Sequence, residues 1–556
     1  MIHRRWRDWK GIAAVGSAVS LAAFSGSAGA VQFKMFDGAV DGSFDTTVTY
    51  GVSMRTEPHE ADLGGLPTQY GNRTLFDEKW DIFSNVIKAS HDLEFRGDSW
   101  GAFFRGNYFY DFEMDNQPLP DAAENRAVSH GDVTDAYFYK RLADDNLTVR
   151  LGKQVISWGE NTFIGGAIND INTVDITKLR QPGVELKDAF VGTPAVYLTW
   201  NATDELSFEG FYLLGYDEIK VDPVGSFYST LDPIADGGGF ANATDGLGRP
   251  VCLLPDGGSC DFRFGPTPVT RVGDDIPGWG GQFGVAIRYY VAELLNGFDF
   301  GLYYQRLHDH NPSLSAIAGT SPADPGFFFV DYPEHVERYG ASFNTIFGSW
   351  AVGGELSYRR NAPIQDARFA TAALGLEGLP VGSEFEGFGR YKRYQVQFTT
   401  QRLWGPMPIF FGADQWNTIA EVAYGWVEDV PGRDGGVPDE DGFVRFDDIT
   451  NDFWGFQARS SLTYNNALLN RINMSVDTAW RWDVEGVSPE VGGAKLFIAG
   501  RQAFTLGVNF EYRLRWQWGV SHSWVWGGED RRRPNGSRMN NATDRDFLSF
   551  NVSYTF

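Results

Sequence analysis

The sequence predicts an all-β protein: a transmembrane, antiparallel, up-and-down β-barrel of about eighteen strands, with sixteen as the alternative count. Three observations point there. Apolar and polar residues alternate with a period of two in segment after segment, which gives each strand one face for lipid and one for water. The connections between these segments are by turns long and short, as in a barrel with long outer loops and short periplasmic turns. The chain begins with a secretory-type segment and ends on an aromatic residue.

At the start, Arg4, Arg5, Arg7 and Lys10 form a basic region, and Gly11 to Phe24 is a short apolar run. Ala28, Gly29 and Ala30 then supply the small residues that a signal peptidase reads, with cleavage expected between Ala30 and Val31. Residues 1–30 thus read as a signal peptide and 31–556 as the barrel. No segment reaches the roughly 18 apolar residues that a membrane helix needs. Residues 1–30 carry four basic side chains and one acid, so their removal takes the formal charge from −25 to −28. A chain that acidic lacks the basic footprint of a nucleic-acid binder. The 66 glycines and 15% aromatics suit many strands with turns and aromatic girdles.

In the N-terminal half Trp100, Ala102, Phe104, Tyr108 and Tyr110 alternate with Phe103, Arg105, Asn107 and Asp111. Later, Tyr394, Val396 and Phe398 alternate with Arg393, Gln395, Gln397 and Thr399. Ile472, Met474, Val476, Trp480 and Trp482 alternate with Asn473, Ser475, Asp477 and Arg481, and Phe504 to Leu514 alternates with Thr505 to Arg515. Charged residues on the second face cost little if that face lines water, and several kcal/mol each at the lipid midplane. Trp516 and Trp518 at one end of a strand, with Trp524 and Trp526 at the other, mark two interfacial girdles. The last strand carries Leu548, Phe550, Val552, Tyr554 and Phe556 on one face. Tyr554 and the terminal Phe556 resemble the signal that barrel-assembly machinery recognises in its clients. The alternative is the edge strand of a soluble sandwich. Outer-membrane lipid and lipopolysaccharide are the expected surroundings.

Nine long connections are expected, with the third at residues 158–192 and the longest at 217–278. The run that leads into the third begins with Gly152, Lys153 and Gln154 and continues through Trp158, Gly159 and Glu160. It goes on through Asn169, Asp170, Asn172 and Asp175 to Pro182, Gly183, Glu185 and Lys187. This run resembles the central signature of a Gram-negative outer-membrane family catalogued as domain of unknown function 1302. The departures are Thr173 in place of Pro, Asn161 in place of Ser and Asp188 in place of Glu. The resemblance implies a protein that works beside a second envelope family, domain of unknown function 1329, and an efflux-type inner-membrane protein. It also implies hydrophobic or aromatic compounds as cargo.

The third connection mixes charged and amide side chains with buriable Trp158, Phe163, Ile164, Ile168, Ile171 and Leu179. A loop packed inside a barrel must bury its apolar groups and pair its polar ones, so the composition predicts an inward fold over that of a plain rim loop. Trp158, Glu160, Asn161, Asp170, Asp175, Lys178, Arg180 and Glu185 are the candidate constriction residues. Period two assigns Arg105, Arg150, Glu209, Arg338, Glu355, Arg393, Glu421, Arg459, Asp477, Arg481, Glu511 and Arg513 to the lumen. Charges of both signs around an opening create a field that orders polar solutes.

Cys252 and Cys260 flank a Pro-Asp-Gly-Gly turn in an exported chain and are expected to form a disulfide. The acidic run from Asp434 to Asp448 fits no calcium-loop spacing and reads as a solvated loop, and no cofactor is expected. Enzymatic motifs are absent. Ser521, His522 and Ser523 sit in one strand, leaving a lipid-face hydrolase as a remote alternative. The leading expectation is a conduit for small molecules. A non-transporting surface or adhesion protein anchored by its barrel is the alternative; the nine long connections and their Phe-rich tips, such as Phe327, Phe328 and Phe329, fit either.

Overall fold

The computed structural model describes residues 31–60, 75–229, 232–238, 269–366, 368–428, 449–491, 495–528 and 538–556. The signal segment up to Ala30, the Cys252–Cys260 pair and the acidic run 434–448 lie outside the described residues. One 19-stranded antiparallel sheet dominates. Its short first member, Val31–Met35, pairs only with the foot of the following strand, and the other eighteen close on themselves.

In chain order the barrel strands begin with β1 (Val40–Arg55), β2 (Ile82–Arg96), β3 (Trp100–Asp111), β4 (Ser129–Leu142), β5 (Leu147–Gln154) and β6 (Thr193–Asn201). Next come β7 (Leu206–Leu213), β8 (Phe283–Val291), β9 (Phe298–Leu307), β10 (Val336–Phe347), β11 (Trp350–Gln365) and β12 (Phe388–Leu403). The last are β13 (Gln415–Val427), β14 (Asp452–Leu468), β15 (Ile472–Glu485), β16 (Gln502–Tyr512), β17 (Trp516–Trp526) and β18 (Phe547–Thr555). The seam runs from Thr47 opposite Thr555 to Arg55 opposite Phe547. Below it Thr46 and Phe556 exchange both backbone hydrogen bonds.

Alternate connections are short, from the two residues after β10 to the eleven after β12, and all fall at the end where Thr46 meets Phe556. Every long connection emerges at the opposite end. The period of two is visible in the burial: Glu355 is 4% exposed and Leu356 45%, Glu421 1% and Val422 39%. Acids therefore point inward and aliphatics outward. A row of rings crosses five neighbouring strands on the outer face, from Tyr304 through Tyr339, Tyr358 and Tyr394 to Trp426. Nearer the short turns Trp350, Trp404 and Trp416 form a second row. The two rows have the arrangement that interfacial girdles take on a barrel. No described helix is long and apolar enough to cross a membrane.

Two expectations are corrected. Arg513 does not line the lumen; it is exposed in the turn after β16 with φ 57°, its guanidinium over the Tyr512 ring. Phe328 and Phe329 are not an exposed tip. The outer connections pair into a four-stranded sheet of their own, in which Phe328 packs with Leu314, Val330 and Phe369. Only Phe327 of the three is exposed.

Candidate functional site

The connection 155–192 is tied to the inward faces of many strands. On the side where it leaves β5, Trp158, Ile156, Ile168 and Ile171 pack against Tyr197, Phe211, Leu213 and Tyr303. Trp158 is fully buried, and its indole N–H donates to Glu209 at 2.6 Å, where the Tyr197 hydroxyl and Arg288 also donate.

The tip reaches further round the wall. The Glu421 carboxylate accepts the backbone N–H groups of Thr162, Phe163 and Ile164 at 2.5, 3.1 and 2.6 Å. Glu355 accepts those of Glu160 and Ile168 at 2.6 and 3.2 Å. Loop amides have no ladder partner of their own, and a buried unpaired N–H is costly, so inward carboxylates hold the backbone in place. Gln305, Gln395 and Gln397 serve the opposite polarity, donating to the carbonyls of Ile168, Gly165 and Ile164. Ile164 then joins Ala423, Phe453 and Phe497 in a buried cluster. Glu160 accepts from Asn344 at 3.0 Å, and burial raises its pKa; Asn161 donates to Ile164 within the loop.

Above these acids the register sets three arginines side by side. Arg338 lies opposite Arg359, and Arg359 opposite Arg393. Like charges at such positions repel, so the row needs counter-ions from the connections. Asp170 Oδ2 accepts from Arg338 at 2.9 Å and Arg359 at 2.6 Å, while Glu490 meets Arg393 at 2.6 Å. Burial pushes the Asp170 carboxyl up, but the two guanidiniums outweigh it and hold the pKa down to about 2.

The second half of the connection leans on the other wall. Asp175 caps a one-turn helix (Ile176–Leu179) and pairs with Arg126 at 3.0 Å. Lys178 reaches Asp132 at 2.5 Å and Asn107 at 2.7 Å. Pro182 packs so close to Gly51 that a Cβ there would lie 2.6 Å from it, which is why β1 carries glycine. Arg180 pairs with Asp222 of the fourth outer connection at 3.0 Å and stacks on Tyr228. Glu185 pairs with its neighbour Lys187 at 3.0 Å.

Of the candidate constriction residues, Trp158, Asp170 and Lys178 thus meet the wall through their side chains, Glu160 through both backbone and side chain. Asp175 and Arg180 pair with other loops instead. Among the candidate lining residues, Arg105 pairs with Asp92 at 2.7 Å, Arg150 stands over the rings of Tyr137 and Tyr197, and Arg459 covers Phe163. Arg481 pairs with Asp483, Glu511 accepts from Asn473, and Asp477 from Asn509. Ser523 bonds Thr505, whereas the His522 ring lies tilted against Trp524 and bonds Thr56; neither Ser521 nor Ser523 hydrogen-bonds His522. Sequence reasoning missed Arg359 and Glu490. Arg359 is detectable only through its register opposite Arg338.

A family model described as "Protein of unknown function (DUF1302)" matches residues 11–556. No curated protein matches the chain. Among solved structures, OpdK of Pseudomonas aeruginosa with vanillate is similar at 9% identity and TM-score 0.40, covering 93% of this chain and 98% of that one. OccAB1 of Acinetobacter baumannii is similar at 10% identity and TM-score 0.42, covering 95% and 98%. OmpT, an outer membrane protein of Vibrio cholerae, shares 9% identity at TM-score 0.35, covering 94% and 99%.

Proposed function

The chain belongs to the family described as protein of unknown function DUF1302, and on that premise we propose that it is an outer-membrane, porin-like conduit for small molecules, narrowed by its third outer connection. One observation carries the reading: Glu421 and Glu355, both buried on the inward face, hold five amides of that connection against the far wall. A barrel wall has no reason to bury two carboxylates unless something inside it supplies the donors. The outward aromatic rows support the membrane setting.

Hydrophobic or aromatic cargo, an envelope partner of the domain of unknown function 1329 family and an efflux-type inner-membrane protein complete the reading; they rest on the family alone. Insertion by the barrel-assembly machinery rests instead on the terminal strand with Tyr554 and Phe556, and the reading invokes no cofactor.

Planar-bilayer conductance tests the conduit. Removing Gly165 to Gly183 should enlarge the unit conductance of a properly assembled barrel. A deletion that assembles and conducts like the parent means that the connection is not the constriction. The packed sheet of outer connections favours a second reading, a surface protein whose barrel only anchors that sheet. That reading expects the parent to stay closed to ions and solutes.

A further inference from the structure

Leu307, the last residue of β9, is the register partner of Val336, the first of β10. The next residues outward, His308 and His335, therefore stand across from one another, with ring centroids 4.8 Å apart. Glu334 joins them: its carboxylate is 3.3 Å from His335 Nε2 and 3.8 Å from His308 Nδ1. One ligand atom from each of the three side chains lies within 4.8 Å of the others.

Three features distinguish this group from a surface ion pair. The His308 side chain is fully buried, and its Nε2 lies 3.2 Å from the Gly280 carbonyl, which can only accept. The ring proton is therefore on Nε2, and Nδ1, which faces Glu334, carries the lone pair; it accepts from the His335 amide at 3.3 Å, a long contact that an ion would replace. Among the described residues, the His335 Nδ1 is buried and has no hydrogen-bond partner. Its backbone is also held at φ 59°, a conformation that costs a non-glycine residue energy.

We propose that His308, Glu334 and His335 bind a divalent transition ion of borderline softness, such as Zn²⁺, with a fourth position open to water or an added ligand. Two imidazoles and one carboxylate suit Zn²⁺, Co²⁺ or Ni²⁺ and do not suit the all-oxygen preference of Ca²⁺ or Mg²⁺. The ion would staple β9 to β10 at the outer rim and fix both ends of the connection between them.

The full chain, refolded in detergent without a histidine tag, is titrated with Zn²⁺ alone by calorimetry. A Co²⁺ titration follows by visible absorption. The expected result is one ion per chain, with Co²⁺ bands of tetrahedral intensity and no competition from Ca²⁺. His335→Ala and Glu334→Gln should each weaken binding roughly tenfold or more while their gel migration stays that of a folded barrel. His335 is half-exposed, so this variant does not depend on tolerating a change at buried His308. His91→Ala, on a distant strand, should bind as the parent does. The proposal is overturned if the parent takes up no ion, if His335→Ala binds equally well, or if His91→Ala weakens binding as much.

Discussion

Ile164 and Glu421 stand 257 positions apart in sequence, yet the Ile164 amide donates to Glu421 Oε1 across 2.6 Å. Two neighbouring amides share the same carboxylate. Three successive N–H groups turned toward one anion form a backbone cup, and here the wall supplies the anion.

Glu421→Ala should release the tip of the third connection. It leaves three amides without an acceptor, at about 1–3 kcal/mol for each that stays buried and unpaired. The variant should still insert and migrate as a folded barrel, with a larger and noisier unit conductance. Glu421→Gln, which keeps one acceptor oxygen, should fall between. Conductance equal to the parent's in the alanine variant would separate this contact from gating.

Acid should loosen the Asp170 clamp, and only strong acid. Its folded pKa of about 2 lies below the ordinary 3.8, so its contribution is complete above that value and is lost as pH falls from 3.8 toward 2. The Asp170 contribution should therefore stay constant from pH 8 to about 5, and an opening step due to its loss should appear below about 4. Asp170→Asn, which leaves Arg338 and Arg359 facing each other, should be open already at neutral pH and show no acid step. An acid step of unchanged size in that variant would assign it to another group.

Arg180 and Glu185 should behave differently. Arg180 is spoken for by Asp222 and Tyr228, so Arg180→Ala should loosen the third connection from the fourth and leave ion selectivity nearly constant. Glu185 is half exposed beside a small cavity lined by Lys88 and Lys178. Glu185→Gln should shift the reversal potential in a salt gradient toward anions. A shift in Arg180→Ala with none in Glu185→Gln would exchange the two roles.

Deleting Phe556 should leave export intact and prevent insertion. Thr46 would lose both of its backbone bonds to that residue, and β18 would lose its terminal ring. Surface levels matching the parent's would refute this; the expected gel shows only the heat-denatured position.

Strand number and the long-short order of connections were legible because period two and turn length are local. The turn after β16 was not: Phe510, Tyr512 and Leu514 keep the alternation through it, and Arg513 and Leu514 take positive φ without a glycine to announce it. Phe328 misled for a different reason, since its partners Leu314 and Phe369 lie elsewhere in the outer connections. The composition of the third connection pointed to an inward fold. Which wall acid would meet which amide could not be read, because that depends on the register of β11 against β12 and β13. The arginine row is the same kind of fact: three residues far apart in sequence acquire one electrostatic problem only once the strands align.

Thr47 and Thr555, whose hydroxyls lie 2.9 Å apart, are separated by 508 positions. Bringing the ends of so long a loop together costs on the order of 5–6 kcal/mol of chain entropy, which the nine paired positions of the seam must outweigh. That contact is also the last that the chain can make. Until β18 docks, the assembling sheet has two bare edges, and the stretch Thr47–Arg55, paired with β2 on one side, keeps its other side open. An open edge of that kind invites strands from other molecules. The hazard in this protein's life therefore lies before closure rather than after it. A mutation that delays β18 should cost more in aggregated precursor than in the stability of the finished barrel.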